Sequence, residues 1–464
     1  MKKIIWLLTI SIVTFAVQAQ PCREVVGYYA GWKWQKRNKL VNPASLIYSN
    51  YTIINYAFFK PTADGTVVEG DPYTDRMLLA GTPEFNSSTG KPEIKNSLVR
   101  NAHQNGVKVV ASVGGWTWSS LFPAICAAPS KRSRFVASVL ELIAKYNLDG
   151  IDIDWEYPGH EAHNGTSADK ANFSLLLGEL REAFNELKSR SGKQVLLTIA
   201  VGPAPKHMEQ IEWETVHPLV DLIHLMSYNY YGAWDKTTNH NTPLYKPVKG
   251  NVKYNVNNSV NLLLETYGVP SSKITMGLAF YGRTATFESR DELHALSTGA
   301  DVQTFPEEKG TPSYYAIASR LNQFDRYFDA TAGVPYLIGK AGSKSFVSYD
   351  DPESIALKTR YAVDKDLAGV VIWEISGDYI PASGNDFVVE TPLCAAIHSN
   401  ICRGSQPMAT VSDAEKSGLT VFPNPVFSEM EINWKSGFNP QAIEVISSSG
   451  QRMFYQEVLL GNRL

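Results

Sequence analysis

Eight short runs rich in Val, Ile, Tyr and Phe, each followed by a stretch long enough for a helix, constrain this chain more than any other feature. They are EVVGYYAGW (Glu24–Trp32), YTIINYAFF (Tyr51–Phe59), KVVASVGG (Lys108–Gly115), DGIDIDWEY (Asp149–Tyr157), QVLLTIAVG (Gln194–Gly202), LIHLMSYN (Leu222–Asn229), ITMGLAFYG (Ile274–Gly282) and GVVIWEISG (Gly369–Gly377). Near-continuous apolar strands are buried on both faces, the pattern of a parallel sheet covered by helices. Eight repeats predict an α/β chain closed into a (β/α)8 TIM barrel. An open doubly wound sheet is the rival, and no GxGxxG turn supports it.

The clearest helix follows the fourth run. Ser167 reads as its N-cap, Phe173, Leu176, Leu177, Leu180, Phe184 and Leu187 recur at helical spacing, and Gly192 lies just past its end. Between the seventh and eighth runs the chain carries too much for one crossover helix, so residues 284–347 are expected to form an α+β insertion subdomain walling one side of the barrel mouth. A closing helix is expected near Pro392–Ile401, completing a barrel domain over residues 20–402. Residues 403–418 (RGSQPMATVSDAEKSG) read as a linker, and residues 419–464 return to short alternating strands, a small C-terminal β module.

The chain opens with two lysines and an apolar run from Ile4 to Val17 that ends in small residues, which predicts a signal peptide over 1–19 and a secreted protein after cleavage behind Ala19. The run is short of the roughly 20 residues that a membrane span needs, so no membrane span is expected. A net charge of -3 and a pI near 6.3 give no bulk basicity for nucleic acid or anionic lipid. Cys22, Cys126, Cys394 and Cys402 permit three disulfide connectivities in an oxidising compartment, with Cys394 and Cys402 near enough in sequence to pair locally.

The fourth run raises the functional question. In a strand, Asp152, Asp154 and Glu156 point one way while Ile151, Ile153 and Trp155 point the other. The apolar set packs under the helices, and the acids line the barrel interior, with Glu156 at the C-terminal mouth where barrel enzymes keep their chemistry. Clustered buried carboxylates raise one another's pKa, so at least one proton is retained, a useful state for a general acid. Three aligned carboxylates also suit Mg²⁺ or Ca²⁺, but no second acid or His cluster supports that, and neither metal nor cofactor is expected. Trp155 and Tyr157 read as core, and the histidines form no pattern.

Asp149, Asp152, Asp154 and Glu156 match the DxxDxDxE signature of glycoside hydrolase family 18, the chitinases, and DGIDIDWEYPG resembles that family throughout. ASVGGW (Ala111–Trp116) is similar to its SxGG strand through Ser112, Gly114 and Gly115. LMSYNYYG (Leu225–Gly232) is similar to its MxYD strand, GLAFYGR (Gly277–Arg283) to its seventh and VVIWEISGD (Val370–Asp378) to its eighth.

The resemblance implies a bacterial chitinase with an insertion subdomain, acting on chitin or chito-oligosaccharides by retaining hydrolysis in which the substrate's 2-acetamido oxygen is the nucleophile. Glu156 is then the general acid and base, Asp154 orients the acetamido N–H and shares a proton with Asp152, Tyr228 donates to the acetamido carbonyl, and Asp149 supports the strand from below. Trp373 is the floor beneath the sugar, with Trp116, Tyr28, Phe58, Met226, Asn229, Tyr281 and Arg283 as groove residues. Trp118 and Trp234 read equally as outer sugar platforms or interface residues. The family usually has Asp where this chain has Asn229. The alternatives are an endo-β-N-acetylglucosaminidase and a non-catalytic lectin.

The tail, with VFPNP and IEVISSSGQRMF, resembles a type IX secretion sorting domain, which implies that secretion machinery as a partner; a β-sandwich accessory such as a carbohydrate-binding module is the alternative. The sequence ends before the last strands of such a domain, so truncation is expected, and the barrel is expected to act as a monomer.

Overall fold

The computed structural model describes residues 22–86, 90–288, 292–340, 342–382 and 385–402, together with four strands between 419 and 457. The expected signal peptide and linker lie outside the described residues. The chain divides into two compact units, Met1–Arg403 and Gly404–Leu464.

In the first unit eight strands form a closed parallel barrel: β1 (Glu24–Ala30), β2 (Ile53–Pro61), β3 (Lys108–Gly114), β4 (Gly150–Asp154), β5 (Leu196–Val201), β6 (Leu222–Leu225), β7 (Ile274–Ala279) and β8 (Gly369–Trp373). Each pairs with its neighbours in sequence, and β8 pairs back onto β1 with Val370 opposite Val25. Alternation divides the side chains. Val26, Tyr28, Ile53, Val110, Leu222 and Val371 fill the barrel, while Val25, Tyr29, Ile54 and Val109 join the layer under the helices. On β4, Ile151 and Ile153 join that outer layer, and just beyond the strand Trp155 sits between Phe122 (5.3 Å, stacked) and Phe173 (5.4 Å, edge-on). Burying each such side chain contributes about 1.5–3 kcal/mol.

The helix after β4 runs Asp169–Ser191 and closes on Gly192 at φ 72°, but Ser167 does not cap it. The helix has Ala168 at its N-cap and no side-chain cap; the Asp169 carboxylate instead ties down the preceding loop, accepting from Gly159 N at 2.9 Å and Thr166 N at 3.0 Å. The insertion is a four-stranded antiparallel sheet, in the order Arg283–Thr286, Ser345–Ser348, Val334–Gly339, Phe324–Asp329, with the helix Tyr314–Ala318. It is one residue wider at each end than the expected segment, because Arg283 pairs with Ser348. The closing helix stops at His398, three residues short of Ile401.

A disulfide joins Cys22 to Cys402, tying the start of the barrel unit to its end, so the local Cys394–Cys402 pairing is not the one formed. Cys126 and Cys394 are buried thiols; Cys394 packs beside the Tyr51 hydroxyl at 3.8 Å. In the second unit Leu419–Phe422 pairs antiparallel with Glu431–Trp434, and Ala442–Ile446 with Arg452–Glu457. Among the described residues no helix is long and apolar enough to cross a membrane.

Candidate active site

The barrel strands stop where the functional residues begin. β6 ends at Leu225, four residues before the sixth apolar run does, because the backbone turns there: Ser227 N donates to Leu225 O at 2.8 Å and Tyr228 N to Met226 O at 2.7 Å. β4 likewise ends at Asp154, leaving Glu156 on the first turn beyond it. These strand ends and the loops after them line a cleft of about 920 Å³ at the C-terminal mouth of the barrel.

The acid row runs up from the barrel interior. Asp152 is fully buried and accepts three hydroxyl donors: Tyr28 at 2.8 Å and Ser112 at 2.7 Å on Oδ2, and Thr198 at 2.7 Å on Oδ1. Asp154 is buried one pleat higher, and its Oδ1 has no hydrogen-bond partner. Burial, then the Glu156 and Asp152 carboxylates, push Asp154 well above the usual carboxylate range. Burial pushes Glu156 up to about 7, against hydrogen bonds from the Tyr157 hydroxyl and the Trp116 amide that favour the ionised form. Asp149 lies at the opposite end of the strand, where its Oδ2 is 2.7 Å from His103 Nε2 and accepts from Val109 N at 2.7 Å.

The glycine pair after β3 lets other groups approach this row. Gly114 sits at φ 114°, and a Cβ there would meet Asp154 O at 2.3 Å; one on Gly115 would meet the Phe58 ring at 2.6 Å. Phe58 stacks on Trp373 with ring centroids 5.7 Å apart, and Tyr28 lies 5.4 Å from Trp373, forming an aromatic floor. Across the cleft, Met226, Tyr228 and Tyr281 pack as one cluster, and burial raises the Tyr228 hydroxyl pKa well above its ordinary value, so the phenol stays protonated as a donor.

Asn229 sits at φ 60° and is held on several sides. Its Oδ1 accepts from Tyr281 Oη at 2.7 Å and from Arg283 Nε and Nη2 at 3.0 and 2.9 Å, while its N–H donates to Asn241 Oδ1 at 3.0 Å. Arg283 also lies over the Trp234 ring at 5.0 Å. Trp118 and Trp234 both line the cleft.

The structure therefore gathers the groove residues, Asp154 and Glu156 around one cleft, with Asp152 and Ser112 hydrogen-bonded to each other beneath it and Asp149 at the far end of the strand. One reading is corrected: Tyr157 is not core packing. The strand has already ended, so Tyr157 turns into the cleft, where its hydroxyl favours the ionised form of Glu156 and its ring stacks on His207 at 3.9 Å. Trp155 is core, as read.

Sequence reasoning passed over Trp32, which stacks on Phe58 at 5.9 Å, although it closes the first apolar run. It also passed over Lys33, whose Nζ is 3.0 Å from Glu374 and 2.7 Å from Glu308, joining β1, β8 and the insertion. Ser119, which accepts the Glu156 N–H at 2.8 Å, carried no signal at all. Among the described residues no group of three or more His, Cys, Asp or Glu side chains is placed to hold a metal ion.

Comparison with known proteins agrees with this geometry. Residues 24–378 match the family described as Glycosyl hydrolases family 18. Over 437 residues the chain is 32% identical to chitinase A1 of Niallia circulans, covering 83% of this chain and 62% of that one, so it spans less than two thirds of that relative's length. The group IV chitinase of Ostrinia furnacalis, in a crystal structure with allosamidin, is similar at a TM-score of 0.69 and 30% identity, covering 81% of this chain and 98% of that one. Human YKL-39, described as a pseudo-chitinase with retained chitooligosaccharide binding properties, is similar at a TM-score of 0.70 and 25% identity, covering 82% and 99% of the two chains. The matched span runs from the first strand of the barrel past its eighth, and the chain belongs to glycosyl hydrolase family 18.

Proposed function

We propose that the protein is a chitinase that hydrolyses β-1,4 linkages between N-acetylglucosamine units with retention of configuration. The observation that carries this reading is Asp154 Oδ1, a buried acceptor without a partner on a carboxyl flanked by two others. Leaving such an atom unmet costs about 1–3 kcal/mol, and a substrate acetamido N–H supplies the missing donor.

In the reaction the acetamido carbonyl oxygen attacks the anomeric carbon as the bond to the leaving oxygen breaks and Glu156 delivers its proton to that oxygen. Tyr228 donates to the acetamido carbonyl and aligns it, and Asp154 stabilises the positive charge of the oxazolinium ring. Water then adds at the anomeric carbon and returns a proton to Glu156, restoring the acetamido group. Each other carboxylate lining the cleft is already engaged: Asp71 by the Tyr73 and Thr74 amides, Asp75 by Tyr56, and Glu308 and Glu374 by Lys33. This supports the substrate, not a second carboxylate, as the nucleophile.

The retained Glu156 favours catalysis over a lectin function. Proton NMR of freshly cleaved N-acetylglucosamine oligomers tests the reading: β-anomer products at early times agree with it, and α-anomers oppose it. Comparing rates on these oligomers with rates on glycoprotein glycans separates chitinase from glycan-directed endoglucosaminidase, since both give retained products.

Secretion belongs to this proposal as well. It is supported by the charged and apolar leader and by the Cys22–Cys402 disulfide, since such bonds persist in oxidising compartments. Type IX export rests on the tail motifs alone.

A further inference from the structure

We infer that His163 is a positioning residue that locks the main chain of Glu156 to the Trp116 platform. The inference rests on the chitinase reading and adds to it a residue outside the acid row.

The Glu156 peptide is anchored at both ends. Its N–H donates to Ser119 Oγ at 2.8 Å, and its carbonyl oxygen lies 2.7 Å from His163 Nδ1. A carbonyl only accepts, so Nδ1 carries the proton and donates. The His163 ring also packs on Trp116, with centroids 4.4 Å apart. The Trp116 backbone amide also faces the Glu156 carboxylate and favours its ionised form, so the platform segment, the acid and His163 bear on one another.

The loop that carries His163 is built to hold it still. His163 N and Gly165 N both donate to His160 O at 2.9 Å, and Asn164 Nδ2 reaches Ser120 O at 3.2 Å on the segment that bears Trp116. Trp116 is 55% exposed, and its ring contacts His163 at 4.4 Å and His160 at 5.6 Å while still lining the cleft. A sugar pressing on Trp116 therefore bears on the same ring that aims Glu156. Sub-ångström errors in placing an acid are costly in rate.

The test compares two substitutions in the full chain on the N-acetylglucosamine tetramer, with thermal midpoints confirming folding. His163→Phe keeps a ring against Trp116 and removes the donor: kcat falls about tenfold with KM within about twofold. His163→Asn keeps an N–H near the Nδ1 position and removes the ring: kcat stays within about threefold of wild type while KM rises about fivefold.

An unchanged kcat in the Phe variant, or kcat and KM moving together in both variants, would overturn the inference while an active wild type leaves the chitinase reading standing. A folded wild type that releases no reducing ends overturns both.

Discussion

Thr198 Oγ1 donates to Asp152 Oδ1 at 2.7 Å between residues directly opposite each other on β4 and β5. With Tyr28 and Ser112 on the other oxygen, the Asp152 carboxylate accepts from hydroxyl groups of three other strands, and the buried His224 Nε2 lies 3.8 Å from Oδ1. The barrel register thus serves the site: closing the sheet brings these donors to one point. Thr198→Val keeps the shape and removes the donor. Because the site is fully buried, the loss is expected to cost about 1–3 kcal/mol of stability, read from chemical denaturation midpoints. An unchanged midpoint would show that Asp152 does not depend on it.

The pH profile follows from Glu156. The group works as an acid only while protonated, and burial holds its carboxyl up near 7, so the protonated form persists through mildly acidic pH and is lost as pH rises through about 7. The dependence of kcat/KM on pH, which reports the free enzyme, is expected to fall on the alkaline side with a midpoint near that value. A midpoint below pH 5 would place Glu156 in the ordinary carboxylate range instead.

Asn229 is the departure from the family pattern, and the structure shows what an Asp there would meet. The same oxygen that accepts from Tyr281 also takes two guanidinium contacts from Arg283. A charge introduced by Asn229→Asp disfavours ionisation of Glu156 and moves the alkaline limb to higher pH, but the facing Arg283 limits the shift to about half a unit. Profiles of the two proteins measured side by side settle it, with coincident limbs counting against any electrostatic role.

The Cys22–Cys402 bond closes a loop with a sequence separation of 380 residues, joining the two ends of the barrel unit. Reduction is expected to cost about 2–5 kcal/mol, seen as a lower denaturant midpoint with reducing agent present. Equal midpoints would leave the bond without a stabilising role.

Much of this site is legible in the sequence, for a physical reason. Asp152 and Asp154 alternate with Ile151 and Ile153, and a period of two in a buried strand allows only one arrangement, acids inward and aliphatics under the helices. The same rule misplaces Tyr157, because the strand stops at Asp154 and alternation no longer holds three residues later. Ser167 looks like a cap in isolation, yet the helix starts two residues later with Ala168 at its N-cap, and the Asp169 carboxylate binds the loop amides of Gly159 and Thr166. Contacts made by loops stay hidden for a different reason. Neither His163 on Glu156 O nor Cys22 on Cys402 follows from any period, since each depends on how distant turns meet once the barrel has closed.

Release of reducing ends from N-acetylglucosamine oligomers by wild type and by Glu156→Gln decides whether the acid row is the catalytic centre. Gln keeps the shape and removes the titrating proton, so the rate is expected to fall by about 10²–10⁴ while oligomer binding, followed by tryptophan fluorescence, persists. A Glu156→Gln protein that binds and cleaves as wild type does would contradict the assignment of Glu156.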